Sequence, residues 1–266
     1  KKIFKTINKV DHVLLSGYPQ NLTSNETISE VSKIQKKLIN NGVKFTILLL
    51  DNKWDNNNGY INQYIDENYY YNFFKNFFDW LIDDKDLGII IKPKKYDTIF
   101  SSKKLSPIIK KILDTGRCHI VRDAYNIAPP YYSKISDFTV GFGIFLTSAV
   151  LECVANNNKG IILDYPNIKN LEPDYFKTKK NENCFSEIEE AIKKLKLYKE
   201  NKNNSELGNW SEIIDEIDPF RDGNGFQRIG YFIKLISDGY DKNIDLTSNI
   251  NMAISKYSDY INKKYL

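Results

Sequence analysis

Residues 137–164 read DFTVGFGIFLTSAVLECVANNNKGIILD. An apolar run at 137–141 ends on Gly141 and Gly143, a helical pattern over 147–155 opens on Thr147 and Ser148, and a second apolar run at 160–164 follows. Strand, short crossover helix and strand within one such stretch form a βαβ unit, whose two strands lie parallel. Both runs are continuously apolar rather than alternating, so both faces of the sheet are expected to be covered.

The pattern repeats outward. Further runs fall at 12–16 (HVLLS), 45–50 (FTILLL), 88–92 (GIIIK) and 118–121 (CHIV). Residues 24–40 carry Ile28, Val31, Ile34, Leu38 and Ile39 near helical spacing and end at Asn41-Gly42, a C-cap pair. The stretch YYYNFFKNFFDWL at 69–81 invites a base- or sugar-stacking reading, but Tyr70, Phe73, Phe74, Phe77, Trp80 and Leu81 share one helical face and are expected to pack on the sheet. Helices are also expected over 105–113, 186–199, 210–217, 226–236 and 246–260. The fold class is therefore α/β, a Rossmann-like doubly wound, mostly parallel sheet of six strands with a helical C-terminal tail. The expected division is a linker at 1–11, a nucleotide-binding core at 12–185 and a helical part at 186–266 that packs on the core or on a preceding domain.

Composition narrows the function. The 266 residues are 41% hydrophobic and 27% charged, within the range of folded globular chains. No apolar run approaches the roughly 20 residues of a membrane helix, and the first ten residues lack a signal-peptide core. A net charge of +4 is too small to indicate nucleic acid and is compatible with at most peripheral membrane contact. Cys118, Cys153 and Cys184 form no CxxC pair, as expected in a reducing compartment. The two histidines, His12 and His119, supply neither a metal cluster nor a Ser-His-Asp triad, and no metal site is expected. No P-loop occurs, and the glycine pair at Gly141 and Gly143 lacks the third glycine of the dinucleotide fingerprint. Asp222-Gly223-Asn224-Gly225 lacks the later acidic ligand of a calcium loop and is expected to be a turn.

In open parallel sheets ligands sit beyond the carboxyl ends of the strands. Residues there include Gly17 and Tyr18, Asp51, Lys92 and Lys94, Asp123, Gly141 to Gly143, and Asp164. Thr147 and Ser148 begin a helix whose free N–H groups can receive a phosphate, or they are an ordinary N-cap. Glu152, one turn on, either accepts ribose hydroxyls or is an exposed helix residue. Lys92 and Lys94 flank a proline and either offset phosphate charge or are solvated. Gly17 and Gly143 allow close backbone approach to a ligand, or serve turns.

These residues carry a resemblance. The stretch ISDFTVGFGIFLTSAVLECVANNNKGIILDYP resembles the nucleotide-binding half of GT-B glycosyltransferases that build bacterial surface polysaccharides. IIIKPKK is similar to the K-P-H strand end of transferases that use CMP-activated sugars and of polyol-phosphate polymerases, with Lys94 where those carry histidine. The tail DPFRDGNGFQRIGYFIKLISDGYDKN is similar to C-terminal segments of capsule and O-antigen biosynthesis proteins. The resemblance implies a donor-binding domain, cytoplasmic or peripheral at the inner membrane, preceded by an acceptor-binding domain. It implies transfer of a sugar from a nucleotide-sugar donor to a glycan or lipid-linked glycan, with no cofactor and no metal. Gly17, Tyr18, Lys92, Lys94, Gly143, Thr147, Ser148 and Glu152 would bind the nucleotide sugar, and the catalytic base would lie on the other domain. A sugar-nucleotide epimerase, a polyol-phosphate transferase and a non-catalytic nucleotide-binding scaffold share the architecture and stay open as alternatives.

Overall fold

The structure is a computed structural model that describes residues 12–19, 25–51, 67–94, 96–122, 127–142, 148–156, 158–163, 182–202 and 206–265. The chain divides into two compact units, one of Ser24–Trp210 and one that joins Lys1–Thr23 to Ser211–Leu266.

The first unit is built on a six-stranded sheet of β1 (Phe45–Leu50), β2 (Leu87–Lys92), β3 (Cys118–Ile120), β4 (Phe138–Phe142), β5 (Gly160–Leu163) and β6 (Cys184–Phe185). Every pairing is parallel, and the order is β3-β2-β1-β4-β5-β6. That is the doubly wound order of the Rossmann fold, with its reversal point between β1 and β4. Helices α1 (Asn25–Asn40), α2 (Glu67–Asp83), α3 (Tyr96–Ser101), α4 (Ser106–Asp114), α5 (Pro129–Ser133), α6 (Ser148–Ala155) and α7 (Ile188–Glu200) cover it. Phe45, Ile47 and Leu49 of β1, with Ile89, Ile91, Val140 and Ile161, form one core with the apolar faces of α2, α4 and α7. The alternate residues Leu48, Leu50, Ile90 and Ile162 point to the opposite face, where α5 meets β1 and α6 meets β4 and β5.

The aromatic helix α2 packs as its spacing predicts. Tyr70, Phe73, Phe74, Phe77, Trp80 and Leu81 are all buried, and Phe73 meets Phe74 edge-on with centroids 5.0 Å apart. Helix α1 ends at the expected Asn41-Gly42. Gly42 sits at φ +84°, its N–H donates to Ile39 O, and the Val43 N–H donates to Leu38 O, which closes a Schellman cap.

One expected strand is corrected. Residues 12–16 pair with no strand, and Val13 and Leu15 stand 58% and 47% exposed. Their carbonyls serve the helical unit instead: Leu15 O accepts from the Tyr257 hydroxyl at 2.8 Å and Ser16 O from Arg228 Nε at 2.5 Å. A side chain thus satisfies a backbone group that a ladder would otherwise have to pair. The sixth strand is Cys184–Phe185, which continues the sheet from β5. Helix α7, expected in the C-terminal part, belongs to the sheet unit and packs on α2.

The second unit contains α8 (Ser211–Ile217), α9 (Gly225–Tyr240) and α10 (Leu246–Tyr265), with α9 against α10. Arg228 is its fully buried centre. Its guanidinium donates to both Asp222 carboxylate oxygens at 2.8 Å and stacks 4.0 Å from the Phe220 ring. Among the described residues, no helix is long and apolar enough to cross a membrane.

Candidate functional site

The sheet order puts the crevice beyond the carboxyl ends of β1 and β4, where the crossovers depart to opposite sides. Asp51 follows β1 directly, Lys92 ends β2 in register with Leu50, and α6 begins at Ser148 after β4.

Asp51 is tied from two sides. The Tyr70 hydroxyl of α2 donates to its Oδ2 at 3.0 Å, and the backbone N–H of Lys94 donates to its Oδ1. Burial of the carboxyl pushes its pKa up to about 6, opposed by the Lys94 N–H, the Tyr70 hydroxyl and the charges of Lys92 and Lys94. The Tyr70 phenol is raised well above its ordinary value by burial and then by the Asp51 charge. Asp51 therefore clamps the turn after β2 and fixes where Lys92 and Lys94 leave the sheet. The ammonium-bearing residue Lys92 is buried at that end, whereas Lys94 is exposed.

Lys92 alternates with Ile91 and so faces the side of the sheet that α6 covers. Cys153 of α6 is buried on that side, and burial, opposed by hydrogen bonds with Ser133 and Thr139 and with smaller opposing influences of the Glu152 and Lys92 charges, pushes its thiol up to about 12. The thiol itself stays protonated and is a poor nucleophile. Nearby, Asn158 Nδ2 donates to Ser133 O and Ser136 O, and the Thr139 hydroxyl donates to Asn158 Oδ1, which locks α5 to β4.

The remaining expected residues fall elsewhere. Gly143 and Thr147 lie outside the described residues, as does the Ser148 side chain. Gly17 and Tyr18 follow no strand and belong to the helical unit. Gly17 has φ +71°, and a Cβ there would sit 2.6 Å from Asp218 Oδ1 and 2.8 Å from an Arg228 guanidinium nitrogen. A local packing demand accounts for that glycine without a ligand. From the expected set, Lys92 and Lys94 stand with Asp51 and Tyr70 at the end of β2, and Glu152 lies on α6 of the same unit. Asp51 had a signal, a carboxylate directly after a fully apolar strand, but its partners 19 and 43 residues away had none. His119 on β3 is half-buried, and burial followed by the charges of Lys37 and Arg122 lowers its pKa. Among the described residues, no three His, Cys, Asp or Glu side chains converge as metal ligands.

No protein-family model matches the chain, and no curated protein does. Two solved structures are similar in outline. An S. aureus MnaA–UDP co-structure is 15% identical with a TM-score of 0.44, over 85% of this chain and 49% of that one. The C-terminal CMP-Kdo binding domain of WaaA from Acinetobacter baumannii is 10% identical with a TM-score of 0.41, over 68% of this chain and 92% of that one. The chain thus spans about half the length of the first of these proteins.

Proposed function

We propose that the chain is the nucleotide-sugar-binding part of a metal-independent GT-B glycosyltransferase that acts in bacterial surface-polysaccharide synthesis. The observation that carries the reading is the buried Lys92 at the carboxyl end of β2, its exit turn clamped by Asp51, beside the reversal point of an all-parallel sheet. A nucleotide sugar presents phosphates that a cation neutralises and ribose hydroxyls that donate to a carboxylate.

In this reading Lys92, with Lys94 at the rim, neutralises the donor phosphates, and Glu152 accepts hydrogen bonds from the ribose hydroxyls. Thr147 and Ser148 receive the leaving phosphate, and Gly143 lets the backbone approach it. The bond from the sugar anomeric carbon to the phosphate oxygen breaks, and a new bond forms to an acceptor hydroxyl oxygen. The electron pair departs with the phosphate, where positive side chains and helix N–H groups stabilise it without a metal. The acceptor's proton passes to a base on an acceptor-binding domain. Asp51 is a positioning residue, since it holds the Lys92–Lys94 turn through the Lys94 N–H.

Calorimetric titration of the chain with UDP, CMP, CDP, GDP and dTDP tests the reading. One nucleotide is expected to bind selectively, with Lys92→Gln and Glu152→Ala each weakening it about tenfold or more. EDTA is expected to leave that affinity unchanged. Absence of binding by all five at millimolar concentration, or wild-type affinity in both variants, sinks the proposal.

A further inference from the structure

Helix α10 carries Lys256, Asp259, Tyr260, Lys263 and Lys264 on one face, and with Tyr231 of α9 they line an open cleft of about 310 Å³ within the helical unit. The Tyr231 and Tyr260 rings stand 4.5 Å apart at 39°, and Lys264 Nζ donates to the Tyr260 hydroxyl at 3.5 Å. Lysines in a last helical turn complement the helix dipole, which accounts for Lys263 and Lys264. It does not account for Lys256 two turns earlier, nor for two tyrosines placed beside all three. Among the described residues neither Lys256 nor Lys263 forms an ion pair, so an incoming anion need displace no carboxylate from them.

Three ammonium groups against one carboxylate select an anion. Tyrosine rings offer an apolar face and a hydroxyl to a ring that is apolar on its faces and polar at its edge. Asp259 would repel a bare phosphate but accepts hydrogen bonds from hydroxyl groups, which favours a ligand that bears both. The volume lies at the small end of the roughly 300–1,000 Å³ typical of ligand pockets, the size class of one sugar ring rather than a nucleotide sugar.

We propose that this cleft binds a phosphorylated monosaccharide, with the phosphate between Lys256 and Lys263, the ring against Tyr231 and Tyr260, and a hydroxyl on Asp259. The site is independent of the one assigned to the sheet unit. Glucose 1-phosphate and glucose 6-phosphate, titrated calorimetrically into the whole chain, are the probes, with glucose and inorganic phosphate as controls. At least one sugar phosphate is expected to bind about tenfold tighter than either control. Combined Lys256→Gln and Lys263→Gln is expected to weaken it about tenfold and to reduce its salt dependence, while the thermal midpoint moves by no more than about 2 °C because both side chains are exposed. Asp259→Asn is expected to narrow the preference over inorganic phosphate. No heat from either sugar phosphate at millimolar concentration, or unchanged affinity in the lysine variant, overturns the proposal. Equal affinity for inorganic phosphate overturns the saccharide assignment.

Discussion

Asp51 binds its proton more tightly in the folded chain than in the unfolded one. Its pKa rises from an ordinary 3.8 to about 6, chiefly through burial. Between those values the folded protein keeps a proton that the unfolded chain has released, so the Asp51 contribution to stability is full below pH 4 and is lost as pH rises through 6. At about 1.4 kcal/mol per unit, the shift caps the effect at about 3 kcal/mol. Asp51→Asn keeps an acceptor for the Lys94 N–H and removes the titration. Urea midpoints of this variant are therefore expected to show a flatter slope between pH 4 and 6 than wild type, and equal or higher stability at pH 8. A wild-type slope in the variant would mean that another group is responsible. Asp222 shows the opposite sign, because its hydrogen bonds from Arg228 hold its pKa well below the ordinary carboxylate range. Its contribution is present above pH 4 and is lost on acidification below that. Asp222→Ala removes two charge-assisted hydrogen bonds from the fully buried Arg228 and is expected to destabilise the helical unit by about 3 kcal/mol, measurable by chemical denaturation at pH 7.

At the scale of elements, the aromatic face of α2 gives the clearest test of packing against function. Phe77 is 0% exposed within the core that joins α2 to the sheet, and its ring lies 5.3 Å from that of Phe73. Phe77→Ala is expected to cost about 3–5 kcal/mol in denaturant titration while leaving nucleotide affinity unchanged, since Phe77 makes no part of the strand-end crevice. Loss of binding without loss of stability would instead revive the stacking-platform reading. The face of α2 was legible because seven buried side chains in 17 residues repeat with the helical period. Strands β1, β2 and β5 were legible because burial on both faces makes them continuously apolar. The run at 12–16 has the same appearance, yet apolar content does not name a partner, and its carbonyls pair with residues more than 200 positions later. Strand β6 has two residues, too few to carry any period, and α5 is a five-residue turn started by Pro129 and Pro130. Proline at the start of a helix resembles proline in a loop until the following backbone closes on it.

The whole molecule poses the question of which expected site residues can act together. Lys92, Lys94 and Glu152 belong to Ser24–Trp210, whereas Gly17 and Tyr18 belong to the unit formed by both ends of the chain. The sheet unit closes its own core, with strands covered on both faces and Trp210 donating to Gly160 O at 2.7 Å near its boundary. A chain limited to residues 24–210 is therefore expected to unfold in one cooperative transition. If the nucleotide is held by Lys92 and Glu152, this shortened chain should bind it within about threefold of the intact protein, less than 1 kcal/mol. If Gly17 and Tyr18 contribute contacts, affinity should drop by tenfold or more, on the order of 1.4 kcal/mol or greater, in a chain that still folds. The packing of Gly17 against Asp218 and Arg228 favours the first outcome, because that glycine is already required where no ligand stands. The sugar-phosphate cleft gives the complementary control. All six of its lining residues lie in 231–264, so the shortened chain should lose that binding entirely while it keeps the nucleotide.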